Sequence, residues 1–305
     1  MTETVLTVRG LRKVYGASVA VDGIDVQVER GEIFGLLGPN GAGKTTTLEC
    51  VEGIRRPDGG KVSVLDVDPN SSTQRLYELI GVQLQTSGLP PAMRVDEAME
   101  FFCAYHRVPP RYELFDRLGL ADKRHSQYVS LSTGQQRRLA LCLAVAHQPP
   151  LVLLDEPTAG LDVESRTQLH DVMHELRSEG TTIVLATHDM AEAEKMADRV
   201  SILLHGKVVA SGSPRELTAT GAGLTKVAVR TEGRVLARDD VDLPAVRQRV
   251  LREDYVTFYS TDPGPTVSAV LAYVAEQGDR LIDLRVERPT LEERFLEITQ
   301  GGGVS

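Results

Sequence analysis

The sequence predicts an α/β fold: a parallel core sheet covered by helices on both faces, an antiparallel β edge, and a small α+β domain behind it. Three observations point there. Apolar runs at Ile33-Phe34-Gly35-Leu36-Leu37, Leu151-Val152-Leu153-Leu154 and Thr182-Ile183-Val184-Leu185-Ala186 are separated by segments of helical period. Strands buried on both faces read as such unbroken runs. Val5-Leu6-Thr7-Val8 and Ile24-Asp25-Val26-Gln27-Val28 alternate instead, the pattern of an antiparallel edge sheet. Beyond a small, polar stretch, Thr218-Ala219-Thr220-Gly221-Ala222-Gly223, the pattern changes to short strands and helices, as expected across a linker.

The run at 33–37 ends in Gly38-Pro39-Asn40-Gly41-Ala42-Gly43-Lys44-Thr45, a complete G-x-x-x-x-G-K-[ST] loop with a helical segment behind it. Strand, loop and helix in that order separate a working phosphate loop from a chance match. Glycines let successive N–H groups turn inward as an anion nest, and the helix N-terminus adds about half a positive charge. Lys44 can reach the outer phosphates and the Thr45 hydroxyl can hold Mg²⁺. A bound nucleoside triphosphate is the expectation.

Pro57-Asp58-Gly59-Gly60 ends the first helix, and Lys61-Val62-Ser63-Val64-Leu65 resumes as strand. Between Pro90-Pro91 and Pro109-Pro110, the residues Val95, Ala98, Met99 and Phe102 recur at helical spacing. A further helix is expected around Arg166 to Arg177. In the second domain, Lys226-Val227-Ala228-Val229, Tyr255-Val256-Thr257-Phe258-Tyr259 and Leu281-Ile282-Asp283-Leu284 read as strands. Helices are expected from Pro244 to Glu253 and from Thr266 to Glu276. The domain boundaries expected are 1–220 and 221–300, with a helical insert at about 86–130 and a disordered tail at 301–305.

The chain has 305 residues, 41% of them hydrophobic and 25% charged, with a net charge of −9. One large domain plus a small one suits that length. An acidic balance offers no basic face for nucleic acid. Cys50, Cys103 and Cys142 are scattered without C-x-x-C spacing, which suits buried thiols in a reducing compartment better than disulfides or zinc. Met1-Thr2-Glu3-Thr4 runs straight into a strand pattern, so no cleavable signal is expected. No apolar stretch approaches the roughly 20 residues that span a bilayer. A cytoplasmic chain, at the membrane only through a partner, follows.

The strand Leu151-Val152-Leu153-Leu154 ends in Asp155-Glu156. A strand emerging beside the phosphate loop delivers its terminal carboxylates to the metal and the γ-phosphate. Asp155 can hold Mg²⁺, and Glu156 can polarise the attacking water as general base.

Leu131-Ser132-Thr133-Gly134-Gln135-Gln136-Arg137-Arg138 stands before Asp155-Glu156-Pro157-Thr158-Ala159-Gly160-Leu161-Asp162, and Thr187-His188-Asp189 follows. With the phosphate loop, this set resembles the nucleotide-binding subunit of an ATP-binding-cassette (ABC) transporter, over residues 1 to about 217. The resemblance implies the cassette form of the phosphate-loop fold, with ATP and Mg²⁺ as cofactors. It assigns the phosphate cradle to Gly38 through Lys44, Thr45 and Thr46, adenine stacking to Tyr15, and the metal to Thr45 and Asp155. Gln85 matches the glutamine that senses Mg²⁺ and the attacking water, with Gln83 as a nearby alternative. His188 matches the histidine that contacts the γ-phosphate, and Asp162 the aspartate that couples two sites across a dimer.

In this family Ser132, Gly134 and Gln135 belong to the segment that contacts the γ-phosphate held by another subunit. The third residue of that segment is usually Gly, whereas here it is Thr133, which puts the closeness of backbone approach in question. One loop and one such segment per chain imply a homodimer sandwiching two ATP molecules. The resemblance also implies a separate transmembrane permease docked on the insert, where Met93, Met99 and Phe101 are candidates for the groove. Pro289-Thr290-Leu291-Glu292-Glu293-Arg294-Phe295-Leu296-Glu297-Ile298-Thr299 and Gly88-Leu89-Pro90 are similar to drug- and antibiotic-exporting subunits of the daunorubicin-resistance type. Leu291, Phe295 and Ile298 equally suit an amphipathic helix packed on the small domain.

Other classes fit less well. Soluble relatives acting on ribosomes carry two cassettes, and those acting on chromosomes carry a long coiled coil where this chain has only Thr45 to Leu131. A GTPase needs N-K-x-D, and neither Asn40 nor Asn70 begins one. A ligand-sensing regulator is the remaining alternative.

Overall fold

The computed structural model describes residues 3–85, 88–219, 224–237, 241–252 and 254–301. The expected linker core, Gly221-Ala222-Gly223, and the tail from 302 onward lie outside them, while Gly301 closes the last helix. Residue contacts divide the chain into two units, Met1–Pro214 and Arg215–Ser305.

In the first unit, β1 (Thr4–Tyr15) pairs antiparallel with β2 (Ser18–Glu29) and with β4 (Gly59–Val64), giving a three-stranded edge sheet. The second sheet has six strands: β3 (Ile33–Leu37), β5 (Ile80–Gln83), β6 (Leu151–Asp155), β7 (Thr182–Thr187), β8 (Arg199–Leu204) and β9 (Lys207–Gly212). Their order is β5-β6-β7-β3-β8-β9, parallel throughout except for the antiparallel β8–β9 hairpin.

Period-2 side-chain alternation splits this sheet between two cores. Val152, Leu154, Ile183 and Leu185 face a cluster with helix residues Leu139, Leu141, Leu169 and Met173. Leu151, Leu153, Val184 and Ala186 face the other way, against Val8, Val26 and Val64 of the edge sheet and Leu48. The helices are α1 (Lys44–Val51), α2 (Thr73–Leu79), α3 (Val95–Tyr105), α4 (Glu113–Arg117), α5 (Thr133–Val145), α6 (Val163–Ser178) and α7 (Met190–Met196). Burial on both sheet faces is what makes the strands read as continuous apolar runs.

The second unit opens with α8 (Pro214–Ala219) and builds a four-stranded antiparallel sheet, β11-β12-β10-β13. The strands are β10 (Thr225–Thr231), β11 (Val246–Arg252), β12 (Tyr255–Ser260) and β13 (Leu281–Glu287), accompanied by α9 (Pro263–Glu276) and α10 (Leu291–Gly301). Val227, Val229, Val256 and Phe258 pack against Val270 and Val274 of α9. Leu291 is fully buried, and Glu293 of the same helix bonds Lys226 on β10.

One expected element is overturned. The helix predicted from Pro244 to Glu253 is the strand β11, which pairs antiparallel with β12 through Arg249↔Phe258 and Val250↔Thr257. Val246 and Val250 sit four apart and mimic a helical stripe, but the open edge of β12 supplies a ladder that local spacing does not reveal.

Candidate functional site

Parallel register gathers the site at the carboxyl ends of three neighbouring strands. Leu37 is level with Thr187, and Asp155 with Ala186. The residues that follow each strand therefore emerge side by side, the position where open α/β sheets hold ligands.

The loop from Gly38 to Gly43 can curl only because of its glycines. Gly43 has φ 107°, and a Cβ there would lie 2.5 Å from the Ala20 carbonyl oxygen. At Gly38, φ 153°, it would lie 2.4 Å from the Leu203 carbonyl oxygen. Gly43 is also the N-cap of α1, with no side-chain cap on the helix, so first-turn N–H groups stay free for an anion.

Lys44 is 5% exposed and curls back over the loop. Its ammonium donates to the Gly38 and Pro39 carbonyl oxygens at 2.7 and 3.3 Å and lies 3.4 Å from Glu156 Oε1. The Thr45 hydroxyl donates to Asp155 Oδ2 at 2.8 Å. Burial pushes the Asp155 carboxyl above the usual carboxylate range, with the Thr45 hydrogen bond pulling the other way. Asp155 Oδ1 is buried without a partner among the described residues.

Glu156 is 5% exposed and has φ 50°, the left-handed region that a non-glycine residue rarely occupies. Its amide continues the ladder to Ala186 at 2.9 Å while the chain turns away from the sheet. His188 Nδ1 lies 2.7 Å from Glu156 Oε2, and the imidazole is half exposed. Lys44, Thr45, Asp155, Glu156 and His188 thus form one bonded cluster.

The other sequence-predicted residues lie apart from it. Ser132 is the N-cap of α5, its hydroxyl oxygen accepting from the Gln135 amide at 3.3 Å while the Gln135 side chain accepts from the Ser132 amide at 2.9 Å. This is a reciprocal capping box, and it uses the Ser132 hydroxyl only as an acceptor. Gly134 is buried, and a Cβ there would come 2.9 Å from Ser165 Oγ. Asp162 caps α6 through the Ser165 amide at 2.8 Å and the Ser165 hydroxyl at 3.0 Å. Those bonds hold its carboxyl below the usual range. Among the described residues, none of these four bonds the phosphate loop of its own chain.

Tyr15 ends β1 and is 40% exposed, with the cations of Lys13 and Arg55 5.6 and 5.9 Å from its ring centroid. Gln85 is exposed and unbonded among the described residues; Gln83 is buried in β5 with both amide atoms unpartnered.

Sequence reasoning missed two buried features. Thr158 donates to Glu192 at 2.7 Å, and His170 Nε2 lies 3.0 Å from the same Glu192 oxygen. His170 interrupts the apolar stripe Leu169, Val172, Met173, Leu176, a signal that a buried partner awaits it. Glu52 follows Leu48 and Val51 on the inner face of α1 and is 1% exposed.

An open groove of about 630 Å³ lies between α3, α5 and the β5 edge. Phe101 and Tyr105, each 61% exposed, stand on its rim. Of the residues expected there, Met99 is instead fully buried in the helical core and Met93 packs against that core. Both lie on the inward face of the insert, which spacing alone could not orient.

Among the described residues no group of three His, Cys, Asp or Glu side chains forms a metal centre, and no helix is long and apolar enough to cross a membrane. Thr45 and the orphaned Asp155 oxygen nevertheless fit Mg²⁺, which commonly takes one or two protein ligands alongside substrate phosphates and water.

The ABC transporter family model matches residues 21–159. Daunorubicin resistance ATP-binding protein DrrA3 of Streptomyces coeruleorubidus is 34% identical over 98% of this chain and 97% of that protein. Nod factor export ATP-binding protein I of Ralstonia nicotianae is 34% identical over 97% of this chain and 94% of that one. A solved ATP-binding subunit of an ABC transporter superposes with a TM-score of 0.66 at 27% identity, covering 70% of this chain and 91% of its own. With its phosphate loop, Asp155-Glu156 pair and His188 gathered at one end of the sheet, and 34% identity to such a relative over 98% of its length, the chain belongs to the ABC transporter family as an ATP-binding subunit, an ATPase.

Proposed function

We propose that this chain drives export of a small, drug-like molecule or a lipid through a separate membrane subunit, by closure of two copies around two ATP molecules. The observation that carries the reading is the division of the predicted site. The phosphate loop, Asp155, Glu156 and His188 bond one another, whereas Ser132, Gly134, Gln135 and Asp162 bond only their own helix starts. Donor groups at the capped start of α5 suit a γ-phosphate on another copy, while the Asp162 carboxylate at the start of α6 suits the coupling between the two sites. The names of the relatives supply the direction of transport and the class of cargo.

A γ-phosphate competes with Glu156 for the Lys44 ammonium, since both are anionic and the loop amides point at the same place. Once Lys44 turns to the phosphates, Glu156 keeps its hydrogen bond to His188 and is free to accept a proton from the attacking water. His188, Ser132 and the Gly134 amide then offer donors to the γ-phosphoryl oxygens, where charge develops. Thr45 and Asp155, with Gln85 from the neighbouring loop, would hold Mg²⁺, which would supply charge neutralisation to the phosphates when bound. Tyr15 offers a ring face to adenine. Closure is favoured only while the γ-phosphate bridges the copies, so its loss returns the population to open.

The permease is assigned to the groove beside the 86–130 insert, whose exposed Phe101 and Tyr105 suit the apolar face of a short helix. This arrangement places the chain at the cytoplasmic face of the membrane. The test is Glu156→Gln with MgATP. The expected result is retained nucleotide binding, loss of turnover, and a dimer by light scattering. A strictly monomeric Glu156→Gln at saturating MgATP overturns the sandwich. A full chain that recovers no polytopic partner from its native membrane overturns the export reading.

A further inference from the structure

Glu52 presents a buried carboxyl group that bonds no side chain among the described residues. It lies at the C-cap of α1, is 1% exposed, lines the floor of the groove between α3, α5 and β5, and leaves Oε2 without a hydrogen-bond partner among the described residues. An unpaired buried acceptor costs about 1–3 kcal/mol, and a buried charge costs more unless paired.

Among the described residues the groove supplies no counter-charge, since its lining contains no Lys or Arg. The charges that act on Glu52 are Asp155, on β6, and Glu49, on α1, both acidic. The other titratable groups lining the groove are Tyr77, Tyr105, Tyr128, His106 and His147. The two imidazoles stack face to face at 3.7 Å, and burial holds both below the usual histidine range, His147 at about 4. They are therefore neutral near pH 7. Apart from Gln136, whose amide donates to the Tyr128 carbonyl oxygen, the remaining wall is chiefly aliphatic and aromatic, including Ile54, Leu84, Leu89 and Phe102.

We infer that the groove recognises a helix of the membrane subunit carrying one basic side chain, Arg or Lys, on an otherwise apolar face, and that this cation seats on Glu52. This rests on the docking assignment made above for the insert. The apolar wall accepts the i, i+3, i+4 anchors of such a helix, and the cation meets the one acid on the floor. A mismatched helix leaves either its own charge or Glu52 buried alone, so the pair selects among partners.

The pairing has a sign in pH. Burial and the two neighbouring acids push the free Glu52 carboxyl up to about 8, so near pH 7 it is mostly protonated. Seating a cation ionises it and releases a proton. Affinity then rises with pH up to about 8 and levels off above. A neutral hydrogen-bonding partner gives the opposite sign, weakening above about 8.

The experiment uses the full chain and the polytopic membrane subunit that co-purifies with it, reconstituted in nanodiscs, with the dissociation constant measured from pH 6.5 to 8.5. Four variants are compared: Glu52→Gln, Phe101→Ala, Tyr105→Ala, and each basic residue of the partner's cytoplasmic loops changed to Gln. Expected is a strengthening of up to about tenfold per pH unit below 8. Glu52→Gln weakens binding about tenfold or more and flattens the profile, and one basic-to-Gln variant reproduces both effects non-additively. An unchanged constant or an unchanged pH profile in Glu52→Gln overturns the inference, as does a profile of opposite sign. If Phe101→Ala and Tyr105→Ala still weaken binding in that case, docking at the groove stands without the ion pair. Full affinity in both rim variants overturns the docking assignment itself. Self-association of the chain alone that Glu52→Gln abolishes assigns the groove to a second copy and also overturns the inference.

Discussion

Glu156 leaves β6 with φ 50° and its carboxylate between Lys44 and His188. A non-glycine residue in that region costs of the order of 1–3 kcal/mol, which the surrounding bonds must offset. A general base contributes about 10²–10⁴-fold, so Glu156→Gln is expected to lower turnover by at least that much in a phosphate-release assay while nucleotide affinity holds. Gly43→Ala places a Cβ 2.5 Å from the Ala20 carbonyl oxygen at φ 107°. The loop must shift, and isothermal titration is expected to show loss of ATP binding in a chain that remains folded. Near-normal affinity in that variant contradicts the loop geometry. Glu52 gives a pH prediction for the isolated chain. Its folded value, about 8, stands above its ordinary value of 4.5, so its stabilising contribution is complete below about pH 4.5 and is lost as pH rises towards 8. Glu52→Gln should therefore gain on the wild type in urea unfolding by a few kcal/mol at pH 8, the gap shrinking at pH 5.

At the scale of elements, residue types that act locally could be read directly. The Gly38–Thr45 loop was legible because its conformation depends on its own glycines, and Ser132 at the start of α5 because capping spans three residues. The strand β11 was not, because its ladder partner β12 decides its state and Val246 and Val250 spell a helix by themselves. In the sequence Met93, Met99 and Phe101 are open between groove and core, and Met99 is core, since spacing defines a helical stripe without saying which side is wet. The Thr158–Glu192–His170 link escaped because Glu192 lies 34 and 22 residues away from its two partners in sequence. It ties the turn after β6 to the start of α7. Thr158→Val removes one donor to a buried carboxylate and is expected to cost about 1–3 kcal/mol in urea unfolding. An unchanged midpoint contradicts the link. Cys50, Cys103 and Cys142 are all 0% exposed and unpaired, and burial pushes the Cys50 thiol up to about 11. A thiol reagent should label none of the three in the native chain and all three in denaturant.

At the scale of the whole molecule, the cluster at the carboxyl ends of β3, β6 and β7 is half of a composite site on the reading proposed here. ATPase activity is then expected to rise more than in proportion to chain concentration, and strict proportionality over a hundredfold range contradicts it. The sequence by itself determined the family, and it spelled out the phosphate loop, the Asp155-Glu156 pair and Thr187-His188-Asp189, because each is a short motif that lies within a few residues. Only the tertiary structure decided which residues touch: that Lys44 reaches Glu156, that Met99 turns inward, that β11 joins a sheet, and that Glu52 lies unpaired on a groove floor. Lys44 and Glu156 are more than a hundred residues apart, whereas β11 pairs with the next strand, through Arg249↔Phe258 and Val250↔Thr257, so even a nearby contact can decide an element that its own spacing misreads. Strand register and helix packing set these contacts, and no local pattern encodes either.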